Sequence, residues 1–180
     1  MFQRNKILVG FVICAACWLV GFYMGFDKAI IDRSMEKKVF LNDNTTDIIT
    51  CVEVFFTILS NNLAVAFILA FLGYFSFGLV SIFVSIYNGF ILSLHITSFL
   101  NTYTVYSLYK VLLHAPTEFF SLCYFGAFGI TGFSNFLSVI NEEKYSHYNF
   151  LTSLKILYLP IFLLFFSALI ESDLYLKLIN

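Results

Sequence analysis

The chain has 180 residues, of which 60% are hydrophobic and 12% are charged, with a formal net charge of −1 and a mean hydropathy of +0.88. Soluble domains carry about 25% charged residues, so this composition excludes an ordinary soluble protein and indicates a membrane protein. The near-zero net charge gives no reason to expect a nucleic-acid partner.

Residues 7–26 form the first predicted membrane span, because no charged residue lies between Lys6 and Asp27. A basic start followed by an apolar run also resembles a signal peptide. The run is long enough to cross a bilayer, so we expect it to remain as a helix. Cys14 and Cys17 form a CxxC pair inside this run. In an apolar helix such cysteines indicate helix packing more often than redox or zinc chemistry.

The segment 27–50 is the predicted polar loop, and it mixes acidic with basic residues. Basic residues occur both before the first span and in this loop. The distribution of positive charge therefore does not fix the orientation of the chain in the membrane.

Residues 54–109 contain no Asp, Glu, Lys or Arg, which is too long a stretch for one span. The stretch must fold back, and the glycines at 73 and 78 favour a turn there, with spans near 54–75 and 77–100. Asn88-Gly89 is the competing turn, which leaves five or six membrane segments open. Small residues recur every four positions through the span near 77–100. They favour one continuous helix that packs against another helix. They are Ser81, Ser85, Gly89, Ser93 and Thr97.

Ser81, Asn88 and His95 recur every seven residues, so they share one face of the same predicted helix. Polar side chains inside a membrane are costly unless they face protein or water. The seam therefore indicates either hydrogen bonds between helices or the lining of a path, and hydrogen bonding is the favoured interpretation.

The stretch "LLHAPTEFF" at 112–120 places His114, Pro116 and Glu118 close together. Proline suits the first position of a helix, and a carboxylate two residues later suits the helix dipole. This interpretation predicts a helix that begins at Pro116 and a dispensable His114. It gives Glu118 a capping role together with a buried polar contact, since a carboxylate near the membrane is too costly for capping alone. Metal or acid–base chemistry is the alternative, but no third ligand and no HExxH motif accompanies the pair in the sequence.

The last two predicted spans are 119–141 and 154–171. The first contains Gly126, Gly129 and Gly132, which would let another helix approach closely. Together the elements predict an all-α fold, a polytopic membrane helix bundle with about five transmembrane helices in a single integral membrane domain, 1–180. A barrel would need alternating strands, which the sequence does not show.

The order of these features resembles the stage II sporulation protein M family of integral membrane proteins. The resemblance covers roughly residues 50–172. It rests on residues that follow one another along the chain: Asn61, Asn62, Gly73, Gly78, Asn88, Gly89, His114, Pro116, Glu118, Gly126, Gly129, Gly132 and Glu171. Family members more often carry a Pro-His-Gly order where this chain has His-Ala-Pro.

The resemblance implies a multi-pass protein of the bacterial cytoplasmic membrane without established catalysis. It implies a role in sporulation engulfment, in ABC-type export, in bacteriocin maturation or in bacteriocin immunity. Partners would be other membrane proteins, such as an ABC-type ATPase subunit or a peptidoglycan-remodelling complex, or else a hydrophobic peptide, with the lipid bilayer around them. A homo-oligomer of this chain is a further alternative.

The sequence contains no nucleotide-binding loop, so any ATP-driven work would need a partner chain. We therefore expect a scaffold or permease-like subunit, with no enzymatic activity, catalytic residues, metal site or cofactor of its own. The alternatives are an intramembrane enzyme that uses His114 and Glu118, and a self-contained carrier.

Overall fold

The computed structural model of the chain describes residues 2–31, 48–102, 105–140, 155 and 157–172. These residues form helices and short turns, with no strand among them. The helices are α1 (Phe2–Ile31), α2 (Ile48–Phe67), the short α3 (Gly73–Phe75), α4 (Leu79–Thr102), α5 (Val105–Ile140) and α6 (Tyr158–Glu171). The π-helical segment Ile68–Leu72 joins α2 to α3. The prediction of an all-helical bundle is confirmed.

The chain turns back at Ser76–Gly78, inside the stretch where the glycines predicted a turn. The Gly78 N–H donates to the Gly73 carbonyl at 2.7 Å, and the Phe77 N–H donates to the Tyr74 carbonyl at 3.3 Å. This pair of bonds is the Schellman pattern that ends many helices. Phe77 and Gly78 both have positive φ, at 56° and 89°. Only glycine adopts such angles without cost, so Gly78 suits the second position.

The second half of the hairpin is one continuous helix, because α4 runs through Asn88 and Gly89 without a break. The small-residue face predicted along it is buried, with exposed fractions of 4% or less at Ser81, Ser85, Ser93 and Thr97. A methyl group added at Gly89 would overlap the Trp18 backbone of α1. Likewise, one added at Gly21 of α1 would overlap the Ile86 backbone of α4. The prediction of close helix packing is confirmed at this contact.

The glycines of α5 lie against the hairpin and α1. A methyl group at Gly129 would overlap the Leu69 carbonyl oxygen, and one at Gly132 would overlap the Tyr74 carbonyl oxygen. At Gly126 the neighbour is Cys14 of α1, a free and buried cysteine. These three glycines therefore pack helices together, as the sequence predicted.

The buried core lies where α5 meets α2, the π-helical segment and α6. Leu69, Phe128 and Leu164 are at most 2% exposed and belong to this core. A smaller cluster joins α2 to α6 through Phe55 and Ala168. The last helix is thus held by α2 and α5 together.

Four of the described helices are long and apolar enough to cross a membrane, and α6 is a shorter apolar helix. The four candidate spans are Asn5–Phe26, Cys51–Phe75, Leu79–Thr97 and His114–Leu137. At about 1.5 Å per residue, the 14 residues of α6 reach roughly 21 Å, less than the roughly 30 Å hydrocarbon core. The polar segment predicted at 27–50 lies for the most part outside the described residues.

The prediction that a helix begins at Pro116 is wrong, because Pro116 lies inside α5. Proline removes one backbone N–H from the helix interior, but membrane helices tolerate this where neighbouring hydroxyl groups bond the backbone. The carbonyl that loses its N–H partner is that of Leu112, four residues before Pro116. Two residues further along, the carbonyl of His114 accepts bonds from Thr117 Oγ1 at 2.7 Å and from Ser167 Oγ of α6 at 3.2 Å, so hydroxyl groups bond the backbone near the proline without replacing the lost bond. Glu118 is therefore not at a helix start, and its capping role has no basis.

Candidate functional site

A cavity of about 390 Å³ lies between the helices of the bundle. Its apolar wall includes Trp18 of α1 and Phe119 and Leu122 of α5. Its polar wall is built from four helices: Asn61 and Asn62 of α2, Asn88 and His95 of α4, His114 and Glu118 of α5, and Glu171 of α6. Polar groups are expensive inside a membrane bundle, so their convergence on one cavity marks a candidate functional site.

In the wall of the cavity His114, Glu118 and Glu171 form a compact cluster. One ligand atom from each residue lies within 4.8 Å of the other two. His114 Nε2 is 3.9 Å from Glu171 Oε2. The side chain of His114 is only 11% exposed, whereas that of Glu171 is 38% exposed. A histidine and two carboxylates at these separations could share a proton or hold a metal ion.

The two helices that carry this cluster fix its geometry. His114 and Glu118 are four residues apart in α5, so both side chains project from one face of that helix. Glu171 is the last residue of α6. The bond from Ser167 Oγ to the His114 carbonyl ties α6 to α5 one turn before Glu171. The end of α6 is thereby held beside His114.

Two amide groups of cavity-lining residues lack hydrogen-bond partners. The Nδ2 atoms of Asn62 and Asn88 are buried and have no partner among the residues that the structure describes. Buried N–H donors without partners typically cost about 1–3 kcal/mol each. Neither atom is open to the cavity, because it has almost no surface that water can reach.

The model of the family described as "Stage II sporulation protein M" matches residues 7–173. The chain belongs to the stage II sporulation protein M family. Neither a curated protein nor a solved structure matches the chain. Family membership and the four long apolar helices together show a multi-pass membrane protein.

Most of the sequence-predicted residues of this stage II sporulation protein M family member fall into two groups. Six of them line the cavity: Asn61, Asn62, Asn88, His114, Glu118 and Glu171. Four pack helices together: Gly89, Gly126, Gly129 and Gly132. Pro116 does neither, and its side chain is exposed on α5.

The three polar residues predicted to share one face of α4 do not all have the same role: one forms a bond between helices and two line the cavity. Ser81 Oγ of α4 donates a hydrogen bond to the Leu69 carbonyl at 2.8 Å. Because Leu69 lies in the π-helical segment, this bond joins two helices. Asn88 and His95 instead line the cavity. A spacing of seven residues predicts a shared face, but a neighbouring helix can cover one end of that face and leave the other end open.

Sequence reasoning missed the part that Trp18 and Phe119 play in the cavity wall. Their rings form an edge-to-face pair with centroids 4.8 Å apart. Nothing in the sequence distinguishes them from the other aromatic residues, which make up 20% of the chain. The proximity of Glu171 to His114 was also hidden, because it depends on how α6 docks on α5.

Proposed function

We propose that this chain is a membrane subunit that acts with partner proteins in the bacterial cytoplasmic membrane, and that the cavity is its working centre. The observation that carries the proposal is the convergence of polar residues from four helices on one cavity. Simple helix packing does not need such a group, since Gly89 and Gly129 show how this bundle packs without it.

Two further features support a subunit with a permease-like or scaffolding role. The sequence has no nucleotide-binding loop, so energy from ATP would come from another chain. The family description points to sporulation as the first setting to consider. ABC-type export and bacteriocin maturation or immunity are further settings within the proposal, each with its own partner.

The test is site-specific photo-crosslinking in native membranes of the source organism. A photoreactive residue would replace one highly exposed aromatic side chain at a time, on α1, α3 or α6: Tyr23, Phe75 or Tyr158, which are 73%, 75% and 74% exposed. We expect a discrete adduct with one identified protein from one of these faces. An ATPase subunit, a peptidoglycan-remodelling complex or a small hydrophobic peptide would each select one setting.

The matched control is the same photoreactive residue in a chain that carries Gly129→Leu, which should disturb the bundle and remove a specific adduct. If the three positions give no adduct, and liposomes that contain this chain alone show solute flux, the subunit proposal fails. A self-contained carrier would then describe the protein.

A second candidate function is an intramembrane enzyme that uses His114 and Glu118. The observation in its favour is the close approach of both residues to Glu171 at the cavity. Peptide cleavage by the purified protein, abolished by Glu118→Gln and retained by Glu53→Gln, would establish it. Glu53 suits the control because it is an exposed carboxylate of α2.

A further inference from the structure

We propose that His114, Glu118 and Glu171 bind one divalent transition-metal ion of the zinc type in the wall of the cavity. The inference goes beyond the proposed function, because an ion can bind whether or not the chain has a partner. It starts from one histidine and two carboxylates with ligand atoms within 4.8 Å of one another.

The charge around this cluster favours a cation. Glu118 and Glu171 are both acidic, and the described residues of the cavity wall include neither lysine nor arginine. Glu171 also ends α6, where the helix dipole places roughly half a negative charge. Two carboxylates close together, one of them at a negative helix end, are costly in a low-dielectric membrane bundle. A divalent cation would neutralise both of them.

The distances leave room for an ion between the side chains. His114 Nε2 and Glu171 Oε2 are 3.9 Å apart, beyond the range of a direct hydrogen bond. Zinc lies roughly 2.0–2.2 Å from nitrogen and oxygen ligands, which places the ligands of a tetrahedral site about 3.4 Å apart. A side-chain movement of about 0.5 Å would bring this pair to that separation.

The ligand types select among divalent ions. Calcium and magnesium prefer sites made of oxygen atoms alone, whereas an imidazole nitrogen suits zinc and its transition-metal neighbours. Three protein ligands would leave the fourth position of a tetrahedral zinc ion for water or a ligand.

The experiment measures Zn²⁺ binding to the full chain in detergent, after the affinity tag has been cleaved off and bound metal has been removed by a chelator. Equilibrium dialysis with metal analysis should give about one tightly bound Zn²⁺ per wild-type chain. Glu118→Gln and Glu171→Gln should each weaken binding by at least about 10–100-fold, the loss seen even for outer partners of metal ligands. Glu53→Gln should bind as the wild type does.

A measurement on the wild type alone guards against variants that do not fold. Co²⁺ in place of Zn²⁺ should give visible absorption bands of a coordinated ion, and these bands should disappear when Zn²⁺ is added. The proposal is overturned if the folded wild type takes up no Zn²⁺. It is also overturned if Glu118→Gln and Glu171→Gln proteins with the wild-type elution volume bind as tightly as Glu53→Gln, which would show adventitious binding only.

Discussion

Helix α4 packs tightly against α1 at one set of positions and lines the cavity at another. Gly89 of α4 lies against the α1 backbone with no space for a methyl group, whereas its neighbour Asn88 lines the cavity. Successive residues of a helix point about 100° apart, so one step along the chain separates the two roles. Packing and function are therefore interleaved in this bundle.

This difference predicts two kinds of response to substitution. In the packed contacts, an enlarged side chain should reduce the stability of the whole bundle, and any loss of function should follow from that. In the cavity, a substitution of similar size should leave stability nearly unchanged and remove function directly. The following variants test that division, from the largest expected effect on stability to the smallest.

Gly129→Leu should have the largest effect, because a side chain there would meet the Leu69 carbonyl oxygen and the Ser81 hydroxyl. Enlarging a packed site typically costs about 1–3 kcal/mol. Thermal unfolding in detergent should show a clear decrease in melting temperature. Phe133→Leu on the same helix is the control, because Phe133 is 50% exposed. An unchanged melting temperature for Gly129→Leu would mean that this face of α5 is not packed.

Gly78→Ala should have the next largest effect, because Gly78 has a φ of 89° and its added methyl would approach Ile130 at 3.2 Å. A left-handed conformation costs a non-glycine residue roughly 1–2 kcal/mol. The melting temperature should therefore decrease, though less than for Gly129→Leu. If Gly78→Ala melts as the wild type does, the turn at Ser76–Gly78 does not hold the hairpin in this conformation.

Ser81→Ala should have a smaller effect, since it removes the single bond from Ser81 Oγ to the Leu69 carbonyl. A bond between membrane helices contributes on average about 0.6 kcal/mol. The melting temperature should decrease slightly. A matched control is Ser60→Ala, because Ser60 is an exposed serine that bonds only within α2, to the Thr57 carbonyl. Equal effects of the two substitutions would argue against a special role for the contact with the π-helical segment.

Asn88→Leu should have the smallest effect on stability, despite its place in the middle of α4. Its Nδ2 atom has no partner in the described structure, so leucine of similar size removes a buried donor without breaking a bond to a described residue. The melting temperature should stay unchanged or rise, while function in cells is lost. A large decrease in melting temperature would place Asn88 among the packing residues instead.

The sequence was informative where local spacing decides the structure. Small residues four apart predicted the buried face of α4, and Gly73 with Gly78 predicted the region of the turn, because both depend on neighbouring positions in one chain segment. The apolar composition predicted the all-helical bundle, because a helix satisfies its backbone hydrogen bonds within one segment of a membrane protein.

The sequence was misleading where a distant contact decides the structure. Pro116 has the local signature of a helix start, but α5 continues through it, and α6 bonds the backbone beside it through Ser167. The same docking of α6 brings Glu171 to His114, across a separation that no spacing rule covers. Without that contact the pair of His114 and Glu118 had no third partner, so the cluster could not be recognised.

The central claim is that the cavity, rather than the packing of the bundle, is the working part of the protein. Its most direct test is complementation of a deletion strain with Glu118→Gln, with protein levels measured by immunoblot. Glutamine keeps the shape of glutamate but removes its charge. The account predicts that the variant accumulates to the wild-type level and fails to restore the phenotype. Full complementation at that protein level would contradict the account.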